Sequence, residues 1–464
     1  MTNGKSKNPL YDWNTLHSSI LTRYLYNLDR ENIRYFILRN YEELPEKNDS
    51  KDVDIIIAPG FYDAASKLLL SAFKEFGISN YYVVRYERVR CWIGIDVEKN
   101  FSIHIDIMEG YLNKGFEIFD FETLYANTIP YKEFRVLNVE YDIALLILYK
   151  IISSKELKNK YREKIEAGYK EYSEKIDSIL KCVLGAEGKE ISEMLQRHDY
   201  EGIINQSARI SFISKKIAFY KKPVRTIINV SRFWIEKLYR IGWCPNKYRK
   251  FLAVEAPDGT GKTTFIEGVC DRLAYFFVCD IDKMNVYHFR PTILPNLGAV
   301  GEKAGMMEQD KDFTNPHRSP SANVVSSFIR MVYYWLDYLV GVPLKLRKDV
   351  QFDKFTIYDR YIYDFLIDPK RSRIKLPFWM RKLFSKMVLQ PSLVFVLETE
   401  AEIIFKRKQE LSINEINRQL GEFQKLSATN ERFVTIDATK SPQLMVGDAT
   451  AIIIDKFTRK TTDK

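Results

Sequence analysis

The residues from Phe251 to Thr264 (FLAVEAPDGTGKTT) are built to hold phosphate. An apolar stretch runs into a glycine-containing turn, and Gly261, Lys262 and Thr263 then open a helical pattern. Successive backbone N–H groups converge in such a turn, and the helix N-terminus adds partial positive charge. Lys262 is spaced to bridge the β- and γ-phosphates of a nucleoside triphosphate, and the Thr263 hydroxyl to hold Mg²⁺. Gly259, Thr260, Gly261, Lys262, Thr263 and Thr264 are therefore the candidate nucleotide-binding residues. The first glycine of G-x-x-x-x-G-K-[ST] is replaced by Ala256, a methyl that the loop tolerates where φ is negative.

A second group of acids lies near the N-terminus. Asp52 and Asp54 flank Val53 on an expected strand, so both carboxylates share one face. Ser102, His104 and Asp106 share a face of another expected strand. Three carboxylates, Asp52, Asp54 and Asp106, on neighbouring strands could hold two Mg²⁺ ions for nucleotidyl transfer. His104 reads as a strand-face neighbour of these acids rather than a ligand.

Positioning these residues requires two α/β arrangements. Residues 1–138 alternate short apolar strands (34–38, 52–58, 81–85, 91–97, 102–108) with a helix over 62–76. Residues 139–204 read as helices with charged faces, and 205–249 as a basic amphipathic connector. Residues 250–464 run strand, glycine loop, helix, then strands at 356–358 and 393–397 with helices between, the pattern of a parallel sheet covered on both faces.

Composition bounds the rest. At 464 residues, 46% hydrophobic and 28% charged, the chain is neither disordered, collagen-like nor low-complexity. No run of 18 apolar residues exists, and residues 1–7 lack the apolar core of a secretory signal, so a cytoplasmic protein is expected. The five cysteines (91, 182, 244, 270, 279) form no Cys-x-x-Cys pair, so reduced thiols and no zinc site are expected. Net charge is +10, yet residues 205–250 alone carry +11 and the remainder −1. One local patch is not the footprint of a general nucleic-acid binder, and no nucleic-acid partner is expected. Within 211–241, apolar residues at Val224, Ile227, Ile228, Ile235 and Leu238 fall at helical spacing. Two readings stay open: a linker helix packed on a neighbouring domain, or an interfacial helix at an anionic membrane surface.

The C-terminal region resembles the thymidylate kinase family over about residues 250–457. The resemblance rests on Asp258-Gly259 within the loop, Tyr358-Asp359-Arg360-Tyr361 at a strand end, Pro391 to Leu397, Lys406-Arg407-Lys408, and Ile436 to Pro442, in the family's order. It implies a P-loop kinase fold with ATP and Mg²⁺ as cofactors. It also implies Asp359 near the metal and Arg360 on phosphate. Asp258 would face the acceptor sugar, Arg407 would lie over adenine at the lid entrance, and Ala438-Thr439 would border the base. The loop itself has no arginine, so a lid arginine, Arg407 or Arg418, must serve the transferring phosphoryl group. The family's Arg-Glu-Pro-Gly-Gly-Thr segment is replaced by Arg290-Pro291 without the acid or glycines, and a long insert containing residues 314–318 follows. In this the chain is similar to thymidylate kinase-like proteins associated with surface polysaccharide synthesis. Over about 16–138 the chain resembles the polymerase-β-like nucleotidyltransferase fold, with Arg39-Asn40 where that family carries Gly-Ser.

The expectation is an enzyme that transfers phosphoryl groups from ATP to a small acceptor, a nucleoside monophosphate or a sugar-like molecule, paired with a nucleotidyltransferase-like domain. Two alternatives stand beside it: a dTMP kinase with an inert N-terminal domain, and a nucleotide-binding, membrane-associated protein without catalysis. By resemblance to thymidylate kinases, a homodimer is expected.

Overall fold

In a computed structural model of the chain, residues 12–48, 50–86, 89–154, 157, 159–238, 250–277, 284–295, 323–351 and 353–462 are described. The insert at 314–318, Arg240, Lys247, Arg249, Cys244 and Cys279 lie outside them. The architecture is mixed α/β, with parallel and antiparallel sheet and many helices. Two compact units form: Tyr11–Leu238 with Thr458–Lys464, and Tyr239–Phe457.

The first unit is built on a mixed sheet. Its strands are β1 (Tyr35–Ile37), β2 (Val53–Ile57), β3 (Asn80–Tyr86), β4 (Val89–Asp96), β5 (Phe101–Glu109), β6 (Tyr111–Asn113), β7 (Phe116–Phe119), β8 (Thr128–Tyr131) and β9 (Phe134–Leu137). In space the order is β3-β4-β5-β2-β1-β9-β8, with the short strand Arg459–Lys460 added beside β3, and β6-β7 as a separate hairpin. β2 runs parallel to β5 and β1 to β9; the other pairs are antiparallel. Alternation divides the side chains between two cores. Val53, Ile55, Ile57, Ile103, Ile105 and Ile107 pack with the helices Thr15–Arg30 and Tyr62–Glu75. Ile56 and Met108 face the opposite way, into a core built by Val139–Tyr149, Asn159–Leu184 and the shorter helices that follow. Asp52, Asp54, His104 and Asp106 fall on that second face.

The basic connector folds as two helices, Ser207–Lys221 and Pro223–Leu238. The second reverses the usual amphipathic arrangement. It buries Thr226 and Asn229 and exposes Val224, Ile227, Ile228, Trp234, Ile235 and Leu238. The reason is local. Lys222 and Arg225 both pair with Glu117 of β7, at 3.3 and 3.2 Å, and Glu236 pairs with Arg85 at 2.6 Å. Gly115, at φ +87°, sits so close to the helix that a Cβ there would meet Val230 backbone at 2.6 Å. Charge and close backbone approach dock the polar face, leaving the apolar one outward.

The second unit is a five-stranded parallel sheet: β10 (Phe251–Glu255), β11 (Asn285–His288), β12 (Thr356–Asp359), β13 (Leu393–Glu398) and β14 (Phe433–Asp437), in the order β11-β12-β10-β13-β14. β10 is central, and all five of its residues are buried, as a strand covered on both faces requires. The helices Lys262–Phe276 and Pro442–Phe457 pack closely, Gly268 lying under Val446, whose nearest carbon would be 2.7 Å from an added Cβ. A 28-residue helix runs from Val324 to Gln351.

Candidate active site

The phosphate-type loop leaves β10 at Glu255 and enters the helix at Lys262. Gly259 and Gly261 take φ +95° and +96°, a region where a side chain is strained, while Ala256 is not among the positive-φ residues. Thr260 Oγ1 donates to the Pro257 carbonyl at 3.0 Å and braces the turn. Thr263 and Thr264 stand exposed on the first turn of a 15-residue helix.

The Lys262 ammonium folds back into the loop. It donates to the Ala256 carbonyl at 3.0 Å and to Asp258 Oδ1 at 3.1 Å. Burial, then the charge of Arg360, draws its pKa down. Asp258 is the hub: Arg360 reaches Oδ1 at 2.6 Å and Arg371 reaches Oδ2 at 3.1 Å. Burial alone would raise the Asp258 carboxyl, but Arg360, Lys262 and Arg371 outweigh it and hold it well below the usual range. Arg360 Nη1 also donates to both carboxylate oxygens of Asp364, at 3.1 and 3.0 Å. Beneath them Glu255, fully buried, accepts from the Tyr361 N–H at 2.7 Å. Burial and the Asp364 charge push its carboxyl well above the usual range.

Asp359 ends β12 one position before Arg360, in register with Val254 on β10. Its Oδ2 lies 2.9 Å from His288 Nδ1, while its Oδ1 is buried with no hydrogen-bond partner among the described residues. Burial pushes this carboxyl up, but the His288 contact and the Lys262 charge hold it below the usual range. Lys262, Asp258, Arg360 and Asp359 thus converge at the carboxyl ends of β10 and β12, where open parallel sheets place their ligands.

The other sequence candidates lie around this group. Arg407 ends the helix Ala401–Arg407, exposed and without a hydrogen bond or ion pair among the described residues. The same helix end covers the loop: a Cβ on Gly259 would meet Lys408 Cβ at 3.1 Å and the Ile404 carbonyl at 3.3 Å. Arg418 is held by Glu415 and by the Ile367 carbonyl, at 2.6 and 2.7 Å. Ala438 donates its N–H to the Glu398 carbonyl, and Asp437 accepts from the Thr439 N–H and hydroxyl, closing the turn after β14. Arg290 is buried against Asp337 at 3.4 Å and over the Tyr334 ring at 4.5 Å. Sequence reasoning missed four members of the network. Asp364 lies four residues after Arg360, a spacing that could have revealed it, and Glu255 is an acid inside an apolar strand. Arg371 and His288 carried no signal.

In the first unit, Asp54 stands opposite Asp106 across parallel β2 and β5, and carboxylate oxygens of Asp52, Asp54 and Asp106 lie within 4.8 Å of one another. Arg39 Nε contacts Asp54 Oδ2 at 2.5 Å, and Ser50 Oγ donates to Asp52 Oδ1 at 2.6 Å. Burial pushes the Asp54 carboxyl up to about 6 in spite of Arg39. Arg39, Asp54, Asp106, Lys114 and Tyr149 line a cavity of about 300 Å³.

No family model matches the chain, and no curated protein matches it. Among solved structures it is similar to a thymidylate kinase from Ehrlichia chaffeensis, at 13% identity and a TM-score of 0.30, over 44% of this chain and 97% of that one. The likeness is weak and partial.

Proposed function

We propose that the second unit binds ATP and transfers its terminal phosphoryl group to a small phosphorylated acceptor, a nucleoside monophosphate or a sugar phosphate. One observation carries the reading: Lys262, Asp258 and Arg360 interlock at the mouth of a positive-φ glycine loop that opens a long helix. The loop's N–H groups and Lys262 suit triphosphate oxygens. Arg360 and Arg371, fixed through Asp258, supply positive charge where phosphoryl transfer concentrates negative charge. The donor set also fits Mg²⁺, because Asp359 presents a buried, unpartnered oxygen and Thr263 an exposed hydroxyl. Thr263 and Asp359 would hold the ion, which supplies charge neutralisation to the phosphates. Arg407 ends the helix that covers the loop and has no partner among the described residues, which suits a contact with the nucleotide.

The test is ADP release from Mg-ATP, with dTMP and a set of sugar phosphates as acceptors, for the wild type and Lys262→Ala. Acceptor-dependent release that falls at least about a hundred-fold in the variant is expected. Equal release by both proteins, or ATP binding with no acceptor-dependent turnover, overturns the reading.

For the first unit the sequence suggested nucleotidyl transfer on Asp52, Asp54 and Asp106. The pairing of Asp54 with Asp106 beside a cavity supports it; the Arg39 guanidinium seated on Asp54 opposes it. We therefore assign the phosphoryl chemistry to the second unit. A second reading concerns the helix Pro223–Leu238. Its outward apolar face, flanked by Arg232 and Lys237, suits the interface of an anionic bilayer.

A further inference from the structure

A mixed set of donors occupies one face of the first unit's sheet. Cys91 on β4 stands directly opposite Asp106 on β5. His104 precedes Asp106 by two residues and so shares its face. The Cys91 sulfur, a ring nitrogen of His104 and a carboxylate oxygen of Asp106 all lie within 4.8 Å of one another. His104 Nε2 is 2.8 Å from Asp106 Oδ1, and the Cys91 sulfur lies within 4.8 Å of the same carboxylate. On the far side of Asp106, Asp54 is taken up by Arg39.

We propose that Cys91, His104 and Asp106 form a three-ligand site for a divalent transition-metal ion of the zinc class, with a fourth position left for water or substrate. The proposal goes beyond phosphoryl transfer and does not depend on it, since none of the three residues belongs to the P-loop unit.

Three physical points favour this ion. Sulfur and imidazole donors select zinc-class ions, whereas Mg²⁺ takes oxygen. The charges close: a thiolate and a carboxylate balance an ion of charge +2, with the imidazole neutral. The protons also balance. The His104 ring nitrogen meets Asp106 and the Cys91 sulfur stands beside it, so an ion seated among the three replaces the His104–Asp106 contact. The thiol proton leaves to solvent, and the imidazole keeps its remaining proton on Nδ1. Arg39, by engaging Asp54, keeps that carboxylate from competing for the ion, and Asp106 also borders the cavity of about 300 Å³, so the open position has a chamber to serve.

The experiment uses the full chain, stripped with a chelator and titrated with Co²⁺ as a spectroscopic stand-in for Zn²⁺. One equivalent should bind, with visible bands of tetrahedral intensity and a near-ultraviolet sulfur-to-cobalt charge-transfer band. Cys91→Ser should abolish the charge-transfer band and weaken binding at least about ten-fold, His104→Gln should weaken binding similarly, and Asp52→Asn should leave both unchanged. Far-UV circular dichroism confirms that each variant is folded; if Cys91→Ser does not fold, His104→Gln and the wild-type charge-transfer band decide. Absence of that band overturns the proposal. So does Co²⁺ binding that millimolar Mg²⁺ displaces and that Asp52→Asn abolishes, because the ion would then sit on the carboxylates alone.

Discussion

Arg360 meets Asp258 at 2.6 Å across the ends of two neighbouring parallel strands, and it does so from a left-handed backbone, at φ +69°. A non-glycine residue in that region costs on the order of 1 kcal/mol. The strain persists because the side chain is fixed from both ends: Asp258 holds one nitrogen of the guanidinium, and Asp364 holds the other through two contacts. The guanidinium is almost wholly enclosed, with 5% of the side chain exposed. Such a residue is fixed before any ligand arrives, which is what a group that must meet developing charge needs.

That relationship makes Asp258 the hub that holds the network together. Its removal leaves Arg360, Lys262 and Arg371 facing one another without the acid they share. Asp258→Ala should lower stability by about 3–5 kcal/mol, the usual cost of breaking a buried ion pair from one side. Urea unfolding of the two proteins measures this directly. An unchanged midpoint would mean that Asp364 and water compensate and that Asp258 is not the hub.

The two loop glycines should separate stability from binding. A Cβ at Gly261 meets nothing within 4 Å, so Gly261→Ala carries only the strain of φ +96°, about 1 kcal/mol. A Cβ at Gly259 adds a clash with the Lys408 side chain and the Ile404 carbonyl, the latter backbone at a helix end. Gly261→Ala should therefore keep its fold while binding ATP more weakly, and Gly259→Ala should lose stability as well. Isothermal titration with ATP, alongside thermal melts, checks the pair. Equal melting temperatures for both variants would show that the 401–407 helix moves freely above the loop.

Much of the frame was legible in the sequence. The strand expected over 52–58 is Val53–Ile57, that over 102–108 is Phe101–Glu109, and the helix over 62–76 is Tyr62–Glu75. These elements follow from periodicity, which burial enforces along the whole segment. Glu255 was hidden because a buried ion network joins residues from separate elements, whereas Asp364 was marked only by its four-residue spacing from Arg360. Which of the two open readings suits Pro223–Leu238 was also not legible, since hydrophobic periodicity says that a face exists but not which face docks. Cysteine spacing could not reveal the cluster of Cys91, His104 and Asp106, which meet through strand pairing rather than through a local motif.

His17 should make the first unit sensitive to mild acid. It is buried on the helix Thr15–Arg30, with Nδ1 accepting from the Asn14 N–H at 3.1 Å and Nε2 2.9 Å from the Ser102 carbonyl. Burial lowers its pKa to about 4, against the hydrogen bond to Ser102 that favours the charged form. The unfolded chain then binds a proton that the folded one refuses between about pH 6.5 and 4. Stability from this group is complete above 6.5 and is lost as pH falls through that window, by about 3 kcal/mol at most. His17→Gln should flatten the pH dependence of the urea midpoint there. A wild-type midpoint that is level from pH 7 to 4.5 would remove His17 as the cause.

The exposed face of Pro223–Leu238 yields the last prediction. Apolar side chains already in water lose little when made polar, so Ile228→Asp with Ile235→Asp should leave stability within about 1 kcal/mol of wild type. If the face seats in an anionic bilayer, the wild type should cosediment with vesicles containing phosphatidylserine, and the double variant should not. Part of that binding should survive high salt, because buried side chains are not screened as the Arg232 and Lys237 charges are. Trp234 sits on the same face with the Lys237 ammonium 4.8 Å from its ring centre, so the fluorescence lost in Trp234→Phe should be blue-shifted in the vesicle-bound wild type. Binding that disappears in salt, or that the double variant retains, would leave only electrostatic attraction to the basic segment and would take the apolar face out of the membrane.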